Sequence, residues 1–285
     1  MSSGPEPASG LNVPRMPEFT AATMRDGLIE LVRDVGQQLL SWRTSGGAQG
    51  EWHGTQFHAK ADRWAHRELC LGLETLEPGI PVVSEEDTTP DPRPGGDRYW
   101  LIDPIDGTAS YAGGFDGFVT QVALMAKEIP VLAVVYAPVY QDLFVATQGR
   151  GSMLNGSRLP LQSSTALTLI DNYPSPRGIA ADLYREMSFS RYLECGSIGL
   201  KICRVAEGRA DVFLKDVLVR DWDLAAPQLI LEEAGGCLVG ASGQRITYGV
   251  PRTHRGLVAG SNRDRVRKVV SWHEAHRSDE TKKGG

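Results

Sequence analysis

The sequence predicts an α/β fold. Two long segments carry the 3.6-residue periodicity of amphipathic helices, and short apolar runs that end at proline, glycine or aspartate follow them. The first helical pattern covers residues 20–42, and the second runs through Ala65, Leu69, Leu73 and Leu76. The chain has 285 residues, which is enough for one large domain or two coupled halves with a sizeable core.

Strand-like runs follow the second helix, for which Asp62 is the expected N-cap. We predict strands at residues 81–83, 99–102, 118–126, 131–137 and 143–147. The strand at 99–102 is expected to stop at Pro104, because proline has no N–H to donate to a strand ladder. Residues 88–98 are rich in proline and glycine and are expected to form an irregular loop.

In the second half of the chain, predicted strands alternate with predicted helices. We predict strands at residues 167–171, 211–214, 237–239 and 257–259, and helices at 179–187, from 196 to Gly208, from 221 to Gly235 and at 264–276. Loose tails are expected at residues 1–17 and 277–285. Turn residues near position 155 are expected to divide the remainder into halves at 18–155 and 156–276.

The composition is that of an ordinary globular protein. Apolar residues make up 41% of the chain, and the net charge of −5 gives no support to a nucleic-acid polymer or a membrane surface as partner. The four cysteines are scattered, with no CxxC pair, and are expected to be reduced thiols. The sequence shows no signal-like N-terminus and no apolar run of transmembrane length, so we expect a cytoplasmic protein.

The segment that organises the functional interpretation is Asp103-Pro104-Ile105-Asp106-Gly107-Thr108. Two carboxylates leave the end of a buried strand together, and Gly107 and Thr108 follow with N–H groups that suit an anion. Carboxylate oxygens beside an anion site indicate Mg²⁺ holding a phosphate. The alternative from these residues alone is an Asx-turn, in which each aspartate only caps its own backbone.

Two further acidic motifs lie before and after this segment in the sequence. Ser84-Glu85-Glu86 precedes it, and Trp222-Asp223-Leu224-Ala225-Ala226 follows far downstream and runs into Glu233-Ala234-Gly235-Gly236. In this order, the three motifs resemble those of the inositol monophosphatase superfamily of Mg²⁺-dependent, lithium-sensitive phosphatases. The turn Gly149-Arg150-Gly151 supports the resemblance, which covers roughly residues 24–260.

The resemblance implies a layered α/β/α/β sandwich and a role for each matched position. Glu85, Asp103 and the carbonyl of Ile105 would hold a first metal ion, and Asp103, Asp106 and Asp223 a second. Gly107 and Thr108 would offer backbone N–H groups to the phosphate. Asp62 matches an acid that assists a third ion or the Thr108 hydroxyl.

These residue types fit phosphomonoester hydrolysis without a protein nucleophile. Bound ions would offset the phosphate charge and activate a water molecule, and Glu85, aided by Thr108, would orient and deprotonate it. Many family members have threonine where this chain has Ala59, and Lys60 follows, so the number of Mg²⁺ ions stays open between two and three. The six histidines lie outside the motifs and are expected to be surface or structural residues.

The resemblance implies a small phosphorylated metabolite as the substrate, and the motifs leave its identity open. Ser84 before the first acid, and Gly196, Ser197 and Lys201 in the second half, resemble the 3′(2′),5′-bisphosphate nucleotidase branch, where such a segment lines the substrate pocket. Lys201 is a candidate to contact a second phosphate, and the alternative is a solvated helix position. Asp216 instead lies where inositol phosphatases place a carboxylate that binds a ring hydroxyl. Alternatives are therefore an inositol phosphate, a sugar phosphate or a nucleoside phosphate, or a non-catalytic phospho-ligand-binding relative. The resemblance also implies a homodimer.

Overall fold

The computed structural model describes residues 18–45, 50–53, 56–87, 97–160 and 166–283. Among them, seven α-helices and fourteen strands build a layered α/β architecture, which confirms the predicted fold class. The predicted tail at 1–17 lies outside the described residues, as does most of the predicted loop at 88–98. No helix in the described parts of the chain combines the length and apolarity that crossing a membrane requires.

Within its described residues, the first half of the chain contains three helices and nine strands, and the last seven of these strands form one sheet. They are α1 (Glu18–Thr44), β1 (Gly50–His53), β2 (Gln56–Ala59), α2 (Lys60–Leu76), β3 (Val82–Ser84), β4 (Arg98–Asp106), α3 (Thr108–Ala112), β5 (Val119–Ala126), β6 (Ile129–Ala137), β7 (Asp142–Thr147), β8 (Gly151–Leu154) and β9 (Ser157–Arg158). The sheet has the order β3-β4-β5-β6-β7-β8-β9. Its strands pair antiparallel except for β3 and β4, which run parallel.

The second half forms a five-stranded sheet of order β11-β10-β12-β14-β13. Its elements are β10 (Thr168–Asp171), α4 (Ile179–Glu186), β11 (Arg191–Glu194), α5 (Ile198–Glu207), β12 (Val212–Arg220), α6 (Asp221–Glu233), β13 (Cys237–Gly240), β14 (Thr253–Gly260) and α7 (Arg263–Lys283). The division of the chain into halves at residue 155 stays a prediction.

Alternating side chains of each strand define the layers. On β4, Trp100 and Ile102 pack against α1 and α2, whereas Leu101 packs against α5 and α6. On β12, Phe213 joins the core with α5 and α6, whereas Leu214 faces α4 and α7. The order of layers is therefore α1–α2, the seven-stranded sheet, α5–α6 and the five-stranded sheet, with α4 and α7 on the outer face.

A turn of the first sheet is bound to the helix layer between the sheets. The N–H groups of Gly149 and Gly151 each donate a hydrogen bond of 2.7 Å to the Glu233 carboxylate at the end of α6. Arg204 of α5 pairs with Asp142 of β7 at 2.7 Å. These contacts hold α5 and α6 on the first sheet, so their N-termini have a fixed position over its strand ends.

The end of β4 differs from the prediction. The strand does not stop at Pro104 but continues to Asp106, because its pairing with β5 shifts between Asp103 and Asp106. Proline is tolerated at such an irregularity, where no ladder N–H is required. The Pro104 carbonyl accepts a hydrogen bond of 2.9 Å from the Thr120 hydroxyl. Asp103 and Asp106 therefore stand on an irregular strand end.

Several other boundaries also differ. Lys127 and Glu128 alone form the turn between β5 and β6, with φ of 50° and 62°, so β6 begins at Ile129. Helix α7 includes residues 277–283 of the predicted C-terminal tail, since neither proline nor glycine interrupts it before Gly284. Five short strands were not predicted, because runs of two to four mixed residues carry little periodicity. They are β1, β2, β8, β9 and β11.

Candidate active site

The parallel pair β3–β4 brings the first acidic motif to the second. Ser84 pairs with Ile102, and the Glu85 N–H donates to the Ile102 carbonyl at 3.3 Å. Glu85 therefore leaves β3 beside Asp103 on β4. The carboxyl groups of Glu85 and Asp103 are close enough for each to affect the pKa of the other.

Three aspartates converge at this point. One carboxylate oxygen from each of Asp103, Asp106 and Asp223 lies within 4.8 Å of the others. Asp223 is in the first turn of α6, where the Arg220 N–H donates to its carboxylate at 2.7 Å. Asp103 Oδ1 is buried without a hydrogen-bond partner. An all-oxygen donor set with a buried unpaired oxygen fits a hard divalent cation.

The charges of the cluster repel each other strongly. Burial raises the pKa of Asp103 well above its usual range, and the charges of Glu85, Asp106 and Asp223 raise it further. Burial and then the Asp106 charge do the same for the pKa of Asp223. Although Glu85 is exposed as a residue, desolvation at its carboxyl group, with nearby acids, raises its pKa to about 7. A bound cation would relieve this repulsion.

Asp106 also binds the N-terminus of α5. Its Oδ2 accepts hydrogen bonds from the Ser197 hydroxyl at 2.5 Å and the Gly199 N–H at 2.6 Å, and its Oδ1 accepts from the Ile198 N–H at 3.2 Å. Burial raises the pKa of Asp106, and these hydrogen bonds oppose the rise. The predicted positions Gly196 and Ser197 thus lie directly beside a predicted metal ligand.

The turn after Asp106 depends on a glycine. Gly107 has φ of 92°, and an added Cβ would lie 3.3 Å from the Gly117 carbonyl oxygen and 3.6 Å from Ser197 Cα. The Thr108 hydroxyl donates to the Ile105 carbonyl at 3.0 Å, which is the carbonyl predicted to bind metal. This carbonyl oxygen keeps a second lone pair for a further partner.

Asp62 differs from its predicted place. Helix α2 begins at Lys60, so Asp62 is the third residue of the helix and not its N-cap, and its side chain is buried. Its charge contributes to the raised pKa of Glu85. Lys60 is exposed at the start of the helix.

Comparison with known proteins decides the family. The model of the inositol monophosphatase family matches residues 20–275. The chain belongs to the inositol monophosphatase family. It is 34% identical over 198 residues to the 3′(2′),5′-bisphosphate nucleotidase CysQ of Salmonella typhimurium, covering 66% of this chain and 78% of the relative.

Other family members are similar over more of the chain. An inositol monophosphatase of Dictyostelium discoideum is 29% identical over 246 residues, or 80% of this chain and 88% of the relative. The solved structure of the Thermotoga maritima IMPase superimposes with a TM-score of 0.74 at 26% identity, covering 88% of this chain and 98% of that one. The chain is therefore a phosphoric monoester hydrolase of a metal-dependent family that acts on small phosphorylated substrates.

Lys201 is placed differently from a substrate-contacting residue. In this family member it is fully buried, and its ammonium donates to Asn172 Oδ1 at 2.6 Å, the Cys195 carbonyl at 3.1 Å and the Gly196 carbonyl at 3.0 Å. An ammonium has three N–H donors, and these acceptors use all of them. The structure therefore excludes a solvated position for Lys201, whose ammonium supports the loop before α5, and direct contact with a second phosphate would have to replace one of these hydrogen bonds.

Asp216 faces away from the loop before α5. Its carboxylate lies 3.3 Å from His273 Nε2 on α7, on the outer side of the five-stranded sheet. The preceding residue, Lys215, points to the inner side, where its ammonium lies 3.5 Å from Asn172 Oδ1 and 3.6 Å from Asp171 Oδ1. No sequence pattern indicates Asn172, and Lys215 is indicated only as a neighbour of Asp216, although strand alternation could have shown that Lys215 and Asp216 face opposite sides.

The pKa shifts predict how metal and pH act on stability. The folded protein holds protons on these acids more tightly than the unfolded chain does, so without metal its stability falls as the pH rises from about 4.5 to about 7. A divalent cation replaces the protons, so it should stabilise most above pH 7. Thermal unfolding with EDTA and with Mg²⁺ at pH 5 and pH 8 tests this. A Mg²⁺ effect of equal size at both pH values contradicts it.

Proposed function

We propose that this family member is a Mg²⁺-dependent phosphomonoesterase whose favoured substrate is a 3′(2′),5′-bisphosphate nucleotide. The phosphatase part is supported by the convergence of four carboxylates on the ends of β3, β4 and α6. The choice of substrate is supported by a single observation, the Lys215 ammonium beside Asn172, which hydrogen-bonds to the loop that leads into α5.

The residues that would hold the ions are those whose carboxylate or carbonyl oxygens lie at the acidic cluster. We assign Glu85, Asp103 and the Ile105 carbonyl to one Mg²⁺, and Asp103, Asp106 and Asp223 to another. Mg²⁺ bound there would supply a Lewis acid and an activated water for attack on phosphorus. Asp62 is the candidate for a third ion, and the number of ions is to be measured by calorimetric titration.

The chain itself would position the reacting groups. Glu85, with its raised pKa, is suited to accept a proton near neutral pH. We assign the N–H groups of Gly107 and Thr108 to the phosphate oxygens. Asp106 fixes the N-terminus of α5 against the metal site, so Gly196 and Ser197 would border the alcohol that is released.

Lys215 provides the cation for a second phosphate. Its ammonium is linked to the metal site through Asn172, whose amide donates to the Gly196 carbonyl at 3.4 Å. Its ammonium is paired with Asp171 at 3.6 Å, but its side chain is 23% exposed, so unlike the buried Lys201 it can also reach a ligand. A substrate with one phosphate at the metals and another at Lys215 matches the activity in the name of the Salmonella typhimurium relative.

Lys215→Met tests this assignment. The variant is expected to raise KM for adenosine 3′,5′-bisphosphate about tenfold, with little change for a nucleoside monophosphate, since one charge-assisted hydrogen bond is worth about 1.5–3 kcal/mol. Phosphate release with Mg²⁺ is measured for both. Lys268→Met, at an exposed position of α7, is the matched control. An equal loss for both substrates contradicts the second-phosphate role.

Inositol phosphate hydrolysis is the second candidate, because a relative carries that name. Asp216, predicted to bind a ring hydroxyl, faces His273 on the outer side of the sheet, so this observation no longer favours it. A phosphate-release screen over bisphosphate nucleotides, inositol monophosphates, fructose bisphosphate and nucleoside monophosphates separates the candidates. No turnover of any of them would support a non-catalytic relative. We also propose a homodimer, which light scattering tests.

A further inference from the structure

Helix α2 contacts the Glu85 turn through a histidine that lies outside the family motifs. His66 Nδ1 lies 2.9 Å from the Ser84 hydroxyl oxygen, and the Ser84 side chain is 1% exposed. This hydrogen bond joins residues 18 positions apart. Ser84 directly precedes Glu85, the residue to which we assign proton transfer and metal binding.

Ser84 begins the turn that presents Glu85. The Asp87 N–H donates to the Ser84 carbonyl at 3.2 Å, and the Ser84 N–H donates to the Asp87 carboxylate at 2.8 Å. The Ser84 hydroxyl also accepts from the Glu86 N–H at 3.3 Å. The Ser84 hydroxyl oxygen therefore contacts both the Glu86 N–H inside the turn and the His66 side chain. A displacement of His66 would move Ser84 and, with it, Glu85.

Asp62 and His66 are four residues apart on α2 and lie on the same face of the helix. Asp62 acts on Glu85 through its charge, whereas His66 acts on the backbone that carries Glu85. Helix α2 therefore supplies one hydrogen bond to the turn, through His66, and one nearby charge, from Asp62.

The Ser84–His66 pair is not a nucleophile and its base. Ser84 is buried, so its hydroxyl cannot reach a substrate. The side chain one helical turn beyond His66 is Cys70, whose Sγ lies 3.7 Å from Nε2 and 3.9 Å from Nδ1. Burial raises the pKa of this thiol to about 11, so Cys70 carries no negative charge that would orient and activate the His66 ring as a catalytic aspartate does. The pair therefore has a supporting role.

We propose that His66 is a positioning residue that fixes the Glu85 turn for metal binding and proton transfer through the Ser84 hydroxyl. The proposal rests on the function proposed above. It adds to it a residue on α2 that contacts neither substrate nor metal. Groups that orient a metal ligand through one hydrogen bond typically change metal affinity or activity by about 10–100-fold when removed.

The test uses Mg²⁺ titration calorimetry together with kcat and KM on the full chain. His66→Leu is expected to weaken Mg²⁺ binding and lower kcat, each about tenfold, with KM unchanged. His66→Asn keeps a polar atom at the place of Nδ1 and is expected to restore both. Cys70→Ala, which removes the other contact of the ring, is the matched control and should match the wild type.

A double substitution isolates the path through the hydroxyl. His66→Leu with Ser84→Ala is expected to lose no more than Ser84→Ala alone, because both changes remove the same hydrogen bond. Losses that multiply, an Asn variant as weak as the Leu variant, or an equal effect of Cys70→Ala would each overturn the proposal. Calorimetry decides this even if no phosphate ester is turned over, an outcome that would overturn only the proposed phosphatase activity.

Discussion

Asp103→Asn is expected to abolish Mg²⁺-dependent phosphate release while the chain stays folded. Asp103 is the residue assigned to both ions, and its Oδ1 is buried without a partner. The amide lowers the charge of the donor set, so we expect a loss of at least about 1,000-fold, corresponding to several kcal/mol of charge stabilisation in the transition state. Without metal, the fold loses a repulsive charge among Glu85, Asp106 and Asp223 and should be no less stable.

Phosphate release and thermal unfolding, each with and without Mg²⁺, measure the two parts of this expectation. The variant should lose the stabilisation by Mg²⁺ that the wild type shows at pH 8. Asp264→Asn, at an exposed position on α7, is the matched control and should keep both activity and Mg²⁺ response. Undiminished Mg²⁺-dependent turnover by Asp103→Asn would falsify the assignment of the metal site.

Lys201→Met is expected to destabilise the fold and to lower activity on every phosphate substrate alike. The substitution keeps the apolar stem but leaves the buried Cys195 carbonyl without the ammonium donor. We expect a loss of about 2 kcal/mol in the free energy of unfolding, which lowers Tm by about 5 °C. The loop before α5 would loosen its hold on Asp106, so kcat/KM should fall about tenfold.

This result separates support of the loop from contact with substrate. Tm and the ratio of kcat/KM for a bisphosphate and a monophosphate nucleotide are measured for Lys201→Met and Lys215→Met in parallel. Lys201→Met should lower Tm and leave the ratio unchanged, whereas Lys215→Met should change the ratio and leave Tm nearly unchanged. An unchanged Tm with a selective loss on the bisphosphate would show that Lys201 contacts substrate after all.

Long periodic segments were the most predictable part of the fold. The first helix was predicted from its apolar stripe, and α5 was predicted from its opening at Gly196-Ser197 and its stop at Gly208. In the structure Ser197 accepts from the Leu200 N–H, and Gly208 has φ of 90°. Such caps act within a few residues, so sequence alone can show them.

The end of β4 was less predictable, because a neighbouring strand decides it. Pro104 would end a regular ladder, but the shifted pairing with β5 removes the need for its N–H. The short strands β9 and β11 likewise exist only because a partner strand lies beside them. Pairing between distant segments leaves no local periodicity to detect.

The acidic motifs identified the candidate metal site from sequence. Their order resembles that of the family, and the resemblance implied that Glu85, Asp103, Asp106 and Asp223 meet. In the structure the three aspartates lie together, and Glu85 is close enough to Asp103 to affect its pKa. The metal-binding roles themselves stay predictions. Carboxylates at strand and helix ends can be recognised in a sequence because their chemistry is evident from residue type alone.

The sequence by itself determined the family, because three spaced acidic motifs stand in the family's order, and that resemblance implied the layered fold and the candidate donor set. The tertiary structure decided what the lysines and histidines contact. Lys201 is buried under its loop, Lys215 faces inward while Asp216 faces out, and His66 supports the Glu85 turn. A long cationic or aromatic side chain takes its role from the acceptors that packing brings within about 3 Å of it, and those acceptors lie far away in sequence.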